Sequence, residues 1–272
     1  MRLIDFEFNG ERLSDYMMTI ANFDSLSEIK DIANLVTINN IKSSNSNKYI
    51  SVGYSYDDVL QVDFQVCKDT CKTPKNLNIS DIELNRLMRW LNRKSYGKFK
   101  PIYDDISFMN TYFEGTFNVH PIYINGNIVG LSLSFRTNAP YGFIEPLYYN
   151  FEFKSLEDEF TIFDISDEVG HLYCNVTITC LEAGDLIIKN SLDEDNDVVI
   201  KNCQTGEVIT MQGEQKIIMT SRTSHDTLPN DFNYNFFRIN NYYDNTENVY
   251  TSSLNCIVEI VYSPIRKVGI IV

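Results

Sequence analysis

Residues 80–97 read SDIELNRLMRWLNRKSYG, and they contain the clearest helical pattern of the chain. In most other segments, apolar and polar residues alternate as they do in β-strands, so this stretch decides how the fold is classified. Ser80 and Glu83 have the spacing of a capping box, in which two backbone donors at the helix start are satisfied reciprocally. Apolar residues follow at helical spacing and form one stripe: Leu84, Leu87, Met88 and Leu91. Gly97 is of the type that ends helices. The stretch predicts one helix over about residues 80–96.

This helix carries the only tryptophan of the chain, Trp90, at the margin of the apolar stripe. A ring at that position belongs either to the edge of the core or to a contact between subunits. We favour the core and keep Trp90 as a candidate interaction residue.

Outside the helix, apolar and polar residues alternate with period two in several segments. They include IDFEF (4–8), LQVDFQV (60–66), LSLSFR (131–136), LYCNVTIT (172–179) and LNCIVEIVY (254–262). In the first segment the alternation puts Ile4, Phe6 and Phe8 on one buried face. Strands with one buried and one wet face are typical of antiparallel sheets packed as sandwiches. The predicted fold class is therefore mainly β, with two β-sandwich domains and one helix.

Turn-forming dipeptides predict the hairpins, and a segment rich in proline and glycine predicts the domain boundary. Asn9-Gly10 and Asn125-Gly126 are dipeptides that reach positive φ at low cost, so both predict tight hairpins. The segment TNAPYGFIEP (137–146) concentrates proline and glycine. We predict an N-terminal domain over 1–140 and a C-terminal domain over 141–272, each of ordinary domain size.

Composition and charge exclude several classes of protein. No run of 18 apolar residues occurs, so we expect no membrane span. Asp5 and Glu7 interrupt the N-terminal segment where a signal peptide needs an apolar core, so we expect no secretion by that route. The formal net charge of −14 argues against a nucleic-acid clamp, because binding phosphate requires concentrated Lys and Arg.

Two polar segments are predicted hairpin tips. DEDND (193–197) has carboxylates at alternate positions, as a calcium loop does, but Val198 and Gln204 stand where such a loop needs Gly and Glu. We interpret it as a solvated tip with the candidate interaction residues Asp193, Glu194 and Asp195. KSSNSNKY (42–49) is the other tip. Its candidate interaction residues are Lys42, Ser43, Ser44, Asn45, Ser46 and Asn47.

No constellation indicates catalysis. Cys67 and Cys71 are close, but a zinc site needs a second pair of ligands, and the six cysteines are interpreted as reduced thiols. Adjacent carboxylates such as Asp57-Asp58 need not face one another across a cleft. Ser224, His225 and Asp226 do not make a triad by being neighbours, because triads are spatial. We predict no catalytic residue, no metal, no cofactor and no enzyme activity.

The aromatic stretch FNYNFFRINNYYDNTENVY (232–250) has two interpretations. Its rings could line a sugar-binding face, or they could belong to strands and interfaces, which tyrosine and phenylalanine also favour. We favour core or interface.

The serial order of features resembles one known family. FEFNGERLSDY (6–16) and LQVDFQVCK (60–68) come first, and the helix segment IELNRLMRWLN (82–92) precedes FKPIYDD (99–105). YFEGTFNV (112–119), IVGLSLSFRTNAPYG (128–142), LIIKN (186–190), VVIKNCQTGEVITMQGEQKIIMTS (198–221), NFFRINN (235–241) and CIVEIVYSPIRKVG (256–269) follow. In this order, nearly the whole chain resembles the distal tail protein (Dit) family of long-tailed bacteriophages.

The resemblance implies a structural virion component located in the phage tail, assembled in the host cytoplasm. The N-terminal domain would be a ring-forming β-sandwich with one helix, and the C-terminal domain a galectin-like sandwich, with the last strand able to return to the first domain. The implied partners are five more copies in a homohexameric ring, the tail tube protein, the tail-associated baseplate hub protein, and receptor-binding or tape-measure proteins. DNA would pass through the lumen without specific binding, and a net charge of −14 suits this if acidic residues face inward.

Two other functions stay open at this point. One is a carbohydrate-binding adhesion module of a phage tail or cell surface. The other is a glycoside-cleaving tail enzyme that uses paired carboxylates.

Overall fold

The computed structural model describes residues 3–21, 36–42, 44, 47–56, 58–72, 77–104 and 110–267. The described chain is mainly β, which confirms the predicted class. Its contacts divide it into two compact units, Met1–Ile144 with Arg266–Val272, and Glu145–Ile265.

The first unit contains ten described strands and one α-helix. The strands are β1 (Leu3–Phe8), β2 (Glu11–Arg12), β3 (Met18–Ala21), β4 (Val36–Lys42), β5 (Tyr49–Tyr56), β6 (Gln61–Lys68), β7 (Gly97–Tyr103), β8 (Thr111–Ile124), β9 (Asn127–Thr137) and β10 (Gly142–Ile144), and the helix is α1 (Asp81–Leu91). Leu13–Tyr16 form a 3-10 turn. Antiparallel pairing gives the sheet order β2-β1-β7-β8-β9-β6-β3, and β10 pairs with β8.

Both predicted Asn-Gly turns are confirmed. Asn9 and Gly10 have φ values of 51° and 83° between β1 and β2, and Asn125 and Gly126 have 48° and 80° between β8 and β9. These left-handed pairs match the twist of the strands that they join.

The core of the first unit lies between the sheet and α1. Phe6, Phe64, Phe99 and Phe135 meet Leu87 and Leu91 of the helix in one buried cluster. The prediction that Ile4 shares the buried face of Phe6 and Phe8 is wrong. A register shift between Leu3 and Asp5 turns Leu3 inward and leaves Ile4 about half exposed. A bulge of this kind moves neighbouring side chains to the other face.

The helix begins where the sequence predicted and ends earlier. Ser80 accepts a hydrogen bond from the Glu83 amide, and the Glu83 carboxylate accepts one from the Ser80 amide, which confirms the capping box. The last helical residue is Leu91, with Asn92 as its cap, so the predicted end near residue 96 is wrong. Gly97 instead opens β7, where a Cβ would run into the ring of Phe8. The glycine therefore serves close packing between strands.

The second unit contains eleven described strands. They are β11 (Leu147–Phe153), β12 (Glu159–Phe163), β13 (Gly170–Tyr173), β14 (Asn175–Cys180), β15 (Gly184–Asn190), β16 (Val198–Cys203), β17 (Val208–Gln212), β18 (Ile217–Thr220), β19 (Arg238–Asn241), β20 (Glu247–Ser252) and β21 (Cys256–Tyr262). The division between the units falls within the last strand, β22 (Ile265–Arg266). A short helix that the sequence did not predict, α2 (Leu228–Asp231), lies between β18 and β19.

Two sheets of the second unit share one core. Their orders are β11-β21-β14-β17-β18 and β12-β20-β15-β16. Inward residues of the first sheet, such as Val176 and Val258, belong to the same buried cluster as Leu186, Ile200 and Tyr250 of the second. A small pair, β13 and β19, completes this unit.

Candidate functional site

The most exposed element of the described chain is the hairpin formed by β4 and β5. The two strands pair antiparallel with each other and, within the described residues, with no other strand. Apolar side chains along both strands are about half exposed or more, including Ile38 at 57% and Val52 at 58%. An isolated two-stranded hairpin is marginally stable in water, and this one leaves its apolar side chains exposed.

Up to the register shift after Asn39, the register sorts the hairpin into an apolar face and a polar face. Ile38 lies opposite Tyr54 on the apolar face, and Thr37 lies opposite Ser55 on the polar face. Beyond the shift, Ile41 lies on the same face of β4 as Thr37, because successive side chains of a strand alternate between its faces. Lys42 is the one charged residue in the two strands, and its Nζ lies 5.7 Å from the centre of the Tyr49 ring.

The predicted tip residues of this hairpin stand at its turn. Lys42, Ser44 and Asn47 are exposed there, while Ser43, Asn45 and Ser46 lie outside the described residues. The sequence indicates a strand over LVTINNI (35–41) before the tip, but it did not lead us to predict the strand after the tip or the exposure of the apolar side chains. The available signal was that VTINNIK (36–42) and YISVGYSY (49–56) together contain one charged residue, Lys42. SLSEIKDIANLV (25–36) allows a helix or a loop on sequence grounds, and all of it except Val36 lies outside the described residues.

Trp90 lies in the core, and the preferred interpretation is confirmed. It is 2% exposed and stacks between Phe6 and Tyr16, with ring centres 5.6 and 4.5 Å away. Its Nε1 donates a hydrogen bond to the Phe8 carbonyl over 2.9 Å. A ring held in this way fixes α1 on the sheet, and it offers a partner almost no surface.

The second predicted tip differs from its prediction. DEDND does connect two strands, β15 and β16, but Asp193 is only 7% exposed and is not solvated. Arg238 Nε and Nη2 donate to its two carboxylate oxygens over 2.5 and 2.7 Å. Glu194 and Asp195 are exposed. The partner stands 45 residues further along the chain, so no local pattern could reveal it.

Burial and Arg238 act on Asp193 in opposite directions. Loss of solvent alone would raise the pKa of this carboxyl group. The hydrogen bonds and the positive charge of Arg238 outweigh burial, and they hold the pKa of Asp193 below its ordinary value. Asp193 is thus a charged anchor within the second unit.

A buried polar cluster surrounds His225. Its Nδ1 lies 2.7 Å from Glu207 Oε1, and its Nε2 lies 3.4 Å from Asp231 Oδ2. Thr220 donates its hydroxyl to Glu207 as well. Burial would raise the pKa of Glu207, but these hydrogen bonds hold it below its ordinary value. Ser224 instead donates to Gln204, so the cluster has no nucleophile placed against the imidazole.

The aromatic stretch 232–250 divides between core and surface. Phe232, Phe236, Phe237 and Tyr250 are buried, whereas Tyr234 and Tyr243 are exposed. Most of these rings therefore build the core of the second unit.

Among the described residues, no group of three or more His, Cys, Asp or Glu side chains could hold a metal ion. The helices among them are too short or too polar to cross a bilayer. All six cysteines are unpaired, with Cys67 half-buried and Cys71 exposed.

Comparison with protein families gives a match over nearly the whole chain. Residues 1–139 match the family described as phage tail protein N-terminal domain, and residues 141–262 match the phage tail C-terminal domain. Comparison with curated protein sequences finds no match.

Two solved structures resemble this fold. The Dit protein (gp 19.1) of phage SPP1 aligns with a TM-score of 0.61 at 8% identity, over 96% of this chain and 99% of that one. A chain of the phage p2 baseplate in its activated conformation aligns with a TM-score of 0.44 at 9% identity, over 96% and 98%. The similarity to SPP1 Dit confirms the resemblance to distal tail proteins at the level of the fold. The chain is a member of the phage tail protein family, built from the N-terminal and C-terminal domains of that family.

Proposed function

We propose that this tail protein is a non-enzymatic structural component that assembles into a homohexameric ring, and that the β4–β5 hairpin makes the contacts between copies. The observation that carries the proposal is the exposure of apolar side chains along this hairpin, such as Ile38 and Val52. Exposed apolar strands of this kind pair with other chains unless they are covered.

A ring uses both edges of the hairpin. The outer edge of β4 on one copy can pair with the outer edge of β5 on the next, which is a contact between two different surfaces. Contacts of this kind generate rings when the rotation closes. The proposed number of six copies in the ring comes from the resemblance to distal tail proteins.

The two faces of the hairpin suit two environments. The apolar face with Val36, Ile38 and Tyr54 would be covered by neighbouring copies. The polar face with Thr37, Asn39 and Ser55 would line a central channel. Hydroxyl and amide groups carry no net charge, so DNA could pass along them without the phosphate contacts that hold it in place.

The ring would join the tail tube to the baseplate or tail tip. The fold of SPP1 Dit, which its structure describes as a paradigm of the hub adsorption apparatus, supports this location. The proposed partners are the tail tube protein, the baseplate hub protein, and receptor-binding or tape-measure proteins. Assembly would take place in the host cytoplasm before the protein enters the virion.

Native mass spectrometry and negative-stain imaging of the purified chain test the proposal. We expect the wild type to form a ring with a central hole. The double variant Val36→Lys/Ile38→Lys should be monomeric, because two charges on the apolar face cannot be desolvated without partners. Its circular dichroism and its Trp90 fluorescence should match the wild type.

The matched control places the same charges on the polar face. Thr37→Lys/Asn39→Lys should still form rings, since that face stays wet. A wild type that is monomeric at tens of micromolar would overturn the proposal. So would rings formed equally well by Val36→Lys/Ile38→Lys.

A further inference from the structure

A basic groove runs along the exposed side of α1. It encloses about 590 Å³ and is lined mainly by Tyr16, Ile82, Arg86, Arg89 and Arg93. The three arginines stand at i, i+3 and i+7, so their side chains share one side of the helix and its first following turn. We refer to these five residues as the α1 groove.

The groove is positive in a chain that is strongly negative. Glu11 is the one carboxylate in its lining, and its Oε1 lies 3.7 Å from Arg93. Arg86 lies over the ring of Tyr16, 4.9 Å from its centre. The guanidinium of Arg89 forms no hydrogen bond or ion pair with any described residue. The groove thus has more positive charge than its own carboxylate neutralises, whereas the chain as a whole carries −14.

An apolar residue stands beside the arginines. Ile82, at the start of α1, is 84% exposed, which is the highest exposure among the large apolar side chains that the structure describes. A partner that fits the α1 groove therefore needs carboxylates together with one aliphatic side chain.

The second unit of the same chain presents such a segment. In the loop between β11 and β12, Leu156 is 71% exposed, and it is followed by exposed carboxylates at Glu157 and at Glu159, the first residue of β12. Neither glutamate side chain forms a hydrogen bond or an ion pair with a described residue. Asp158 is occupied, since it accepts hydrogen bonds from the Lys154 and Ser155 amides over 2.6 and 3.0 Å. We refer to Leu156–Glu159 as the acidic loop.

We propose that the α1 groove of one copy binds the acidic loop of a second copy. Arginine pairs with carboxylates through two parallel hydrogen bonds, so Arg86 and Arg89 are suited to Glu157 and Glu159. Leu156 would then cover Ile82. The inference rests on the proposed ring, and it adds a second contact between copies, made by charge rather than by strand pairing.

A charge-swap experiment tests this contact. The concentration at half-assembly is measured by sedimentation velocity at about 50 and 500 mM NaCl, where screening of exposed charges differs strongly. We expect Arg86→Glu/Arg89→Glu to raise the half-assembly concentration about tenfold or more at low salt, as coupled charge pairs do. Glu157→Arg/Glu159→Arg should have the same effect. The combination of all four changes should restore assembly to within about threefold of the wild type.

The matched control uses another exposed acidic residue beside an exposed ring. Asp244 follows Tyr243, which is 73% exposed. Asp244→Arg combined with Arg86→Glu/Arg89→Glu should not restore assembly. Circular dichroism and Trp90 fluorescence of every variant confirm that it is folded.

The outcomes separate this inference from the proposed function. A wild type that is monomeric at both salt concentrations overturns the ring and the contact together. A wild type that assembles, with a half-assembly concentration unchanged by Arg86→Glu/Arg89→Glu, overturns the contact alone. Weakening without restoration by the swapped loop shows that the groove takes an acidic segment other than this loop, and it also overturns the inference.

Discussion

Two hairpins of this protein look alike in sequence and differ in structure. Both have a polar tip between apolar strands, at residues 42–49 and 193–197. The β4–β5 hairpin exposes its side chains along both strands. The connection between β15 and β16 is instead tied down by Arg238 on Asp193.

Buried amides strengthen the second connection. Asn190 donates to Asn248 over 2.8 Å, and Asn240 donates to the Leu192 carbonyl over 3.0 Å. Asn196 reaches the Phe236 carbonyl over 3.2 Å. A polar tip therefore becomes part of the domain when distant strands bring it partners.

The largest expected effect comes from breaking the anchor of the second hairpin. Arg238→Met leaves the Asp193 carboxylate buried without its partner, so we expect the free energy of unfolding of the second unit to fall by about 3–5 kcal/mol. Urea unfolding followed by circular dichroism measures this loss. Trp90 fluorescence reports separately on the first unit, because the chain has one tryptophan, and it should be unchanged.

The control for this experiment is a more exposed pair on the same hairpin. Lys189 lies 3.3 Å from Asp197, and the Lys189 side chain is 62% exposed. Lys189→Met should cost less than about 1 kcal/mol, since surface pairs contribute little. Equal losses in the two variants would show that the Arg238–Asp193 pair is no anchor.

Lowering the pH is expected to have a smaller effect on the unfolding free energy of the second unit. Because the folded pKa of Asp193 lies below its ordinary value, its ion pair stabilises the second unit above the unfolded pKa of about 4. That contribution is lost as the pH falls through the folded pKa. Between about pH 5 and 2, the unfolding free energy of Asp193→Asn should therefore fall less steeply than that of the wild type, measured by urea titrations at each pH. Parallel curves for the two proteins would contradict this assignment.

The smallest effect is expected at the first hairpin. Ile38→Thr should change the unfolding free energy of the first unit by less than about 0.5 kcal/mol, because the side chain is already exposed. Trp90 fluorescence in urea measures it, at protein concentrations below those of assembly. The buried Leu87→Ala, by contrast, should cost about 2–5 kcal/mol. A comparable loss for Ile38→Thr would mean that the hairpin packs on its own chain.

Much of the fold could be predicted from local patterns. Alternation identified strands such as β6, β9 and β21, and a capping box identified the start of α1. Two Asn-Gly dipeptides identified hairpins. These features depend on residues close in sequence, so a single sequence is sufficient to reveal them.

The wrong predictions concern features that are set by contacts between residues distant in sequence. The shift at Leu3 depends on pairing with β7, and Gly97 is set by the ring of Phe8 rather than by the end of a helix. The candidate contact surfaces could likewise be predicted from the sequence only in part. The tip around Lys42 was predicted, whereas the apolar face beside it and the α1 groove appear only when exposure is known.

The sequence by itself determined that this chain is mainly β, with one well-capped helix, because alternation and capping act over a few residues. Only the tertiary structure decided which polar side chains are anchors and which apolar side chains are surface. Asp193 is buried because Arg238 reaches it from 45 residues away, and Ile38 is exposed because, within the described residues, no third strand pairs with its hairpin. The burial of a side chain depends on which distant segments pack against it, and the local sequence pattern does not specify that packing.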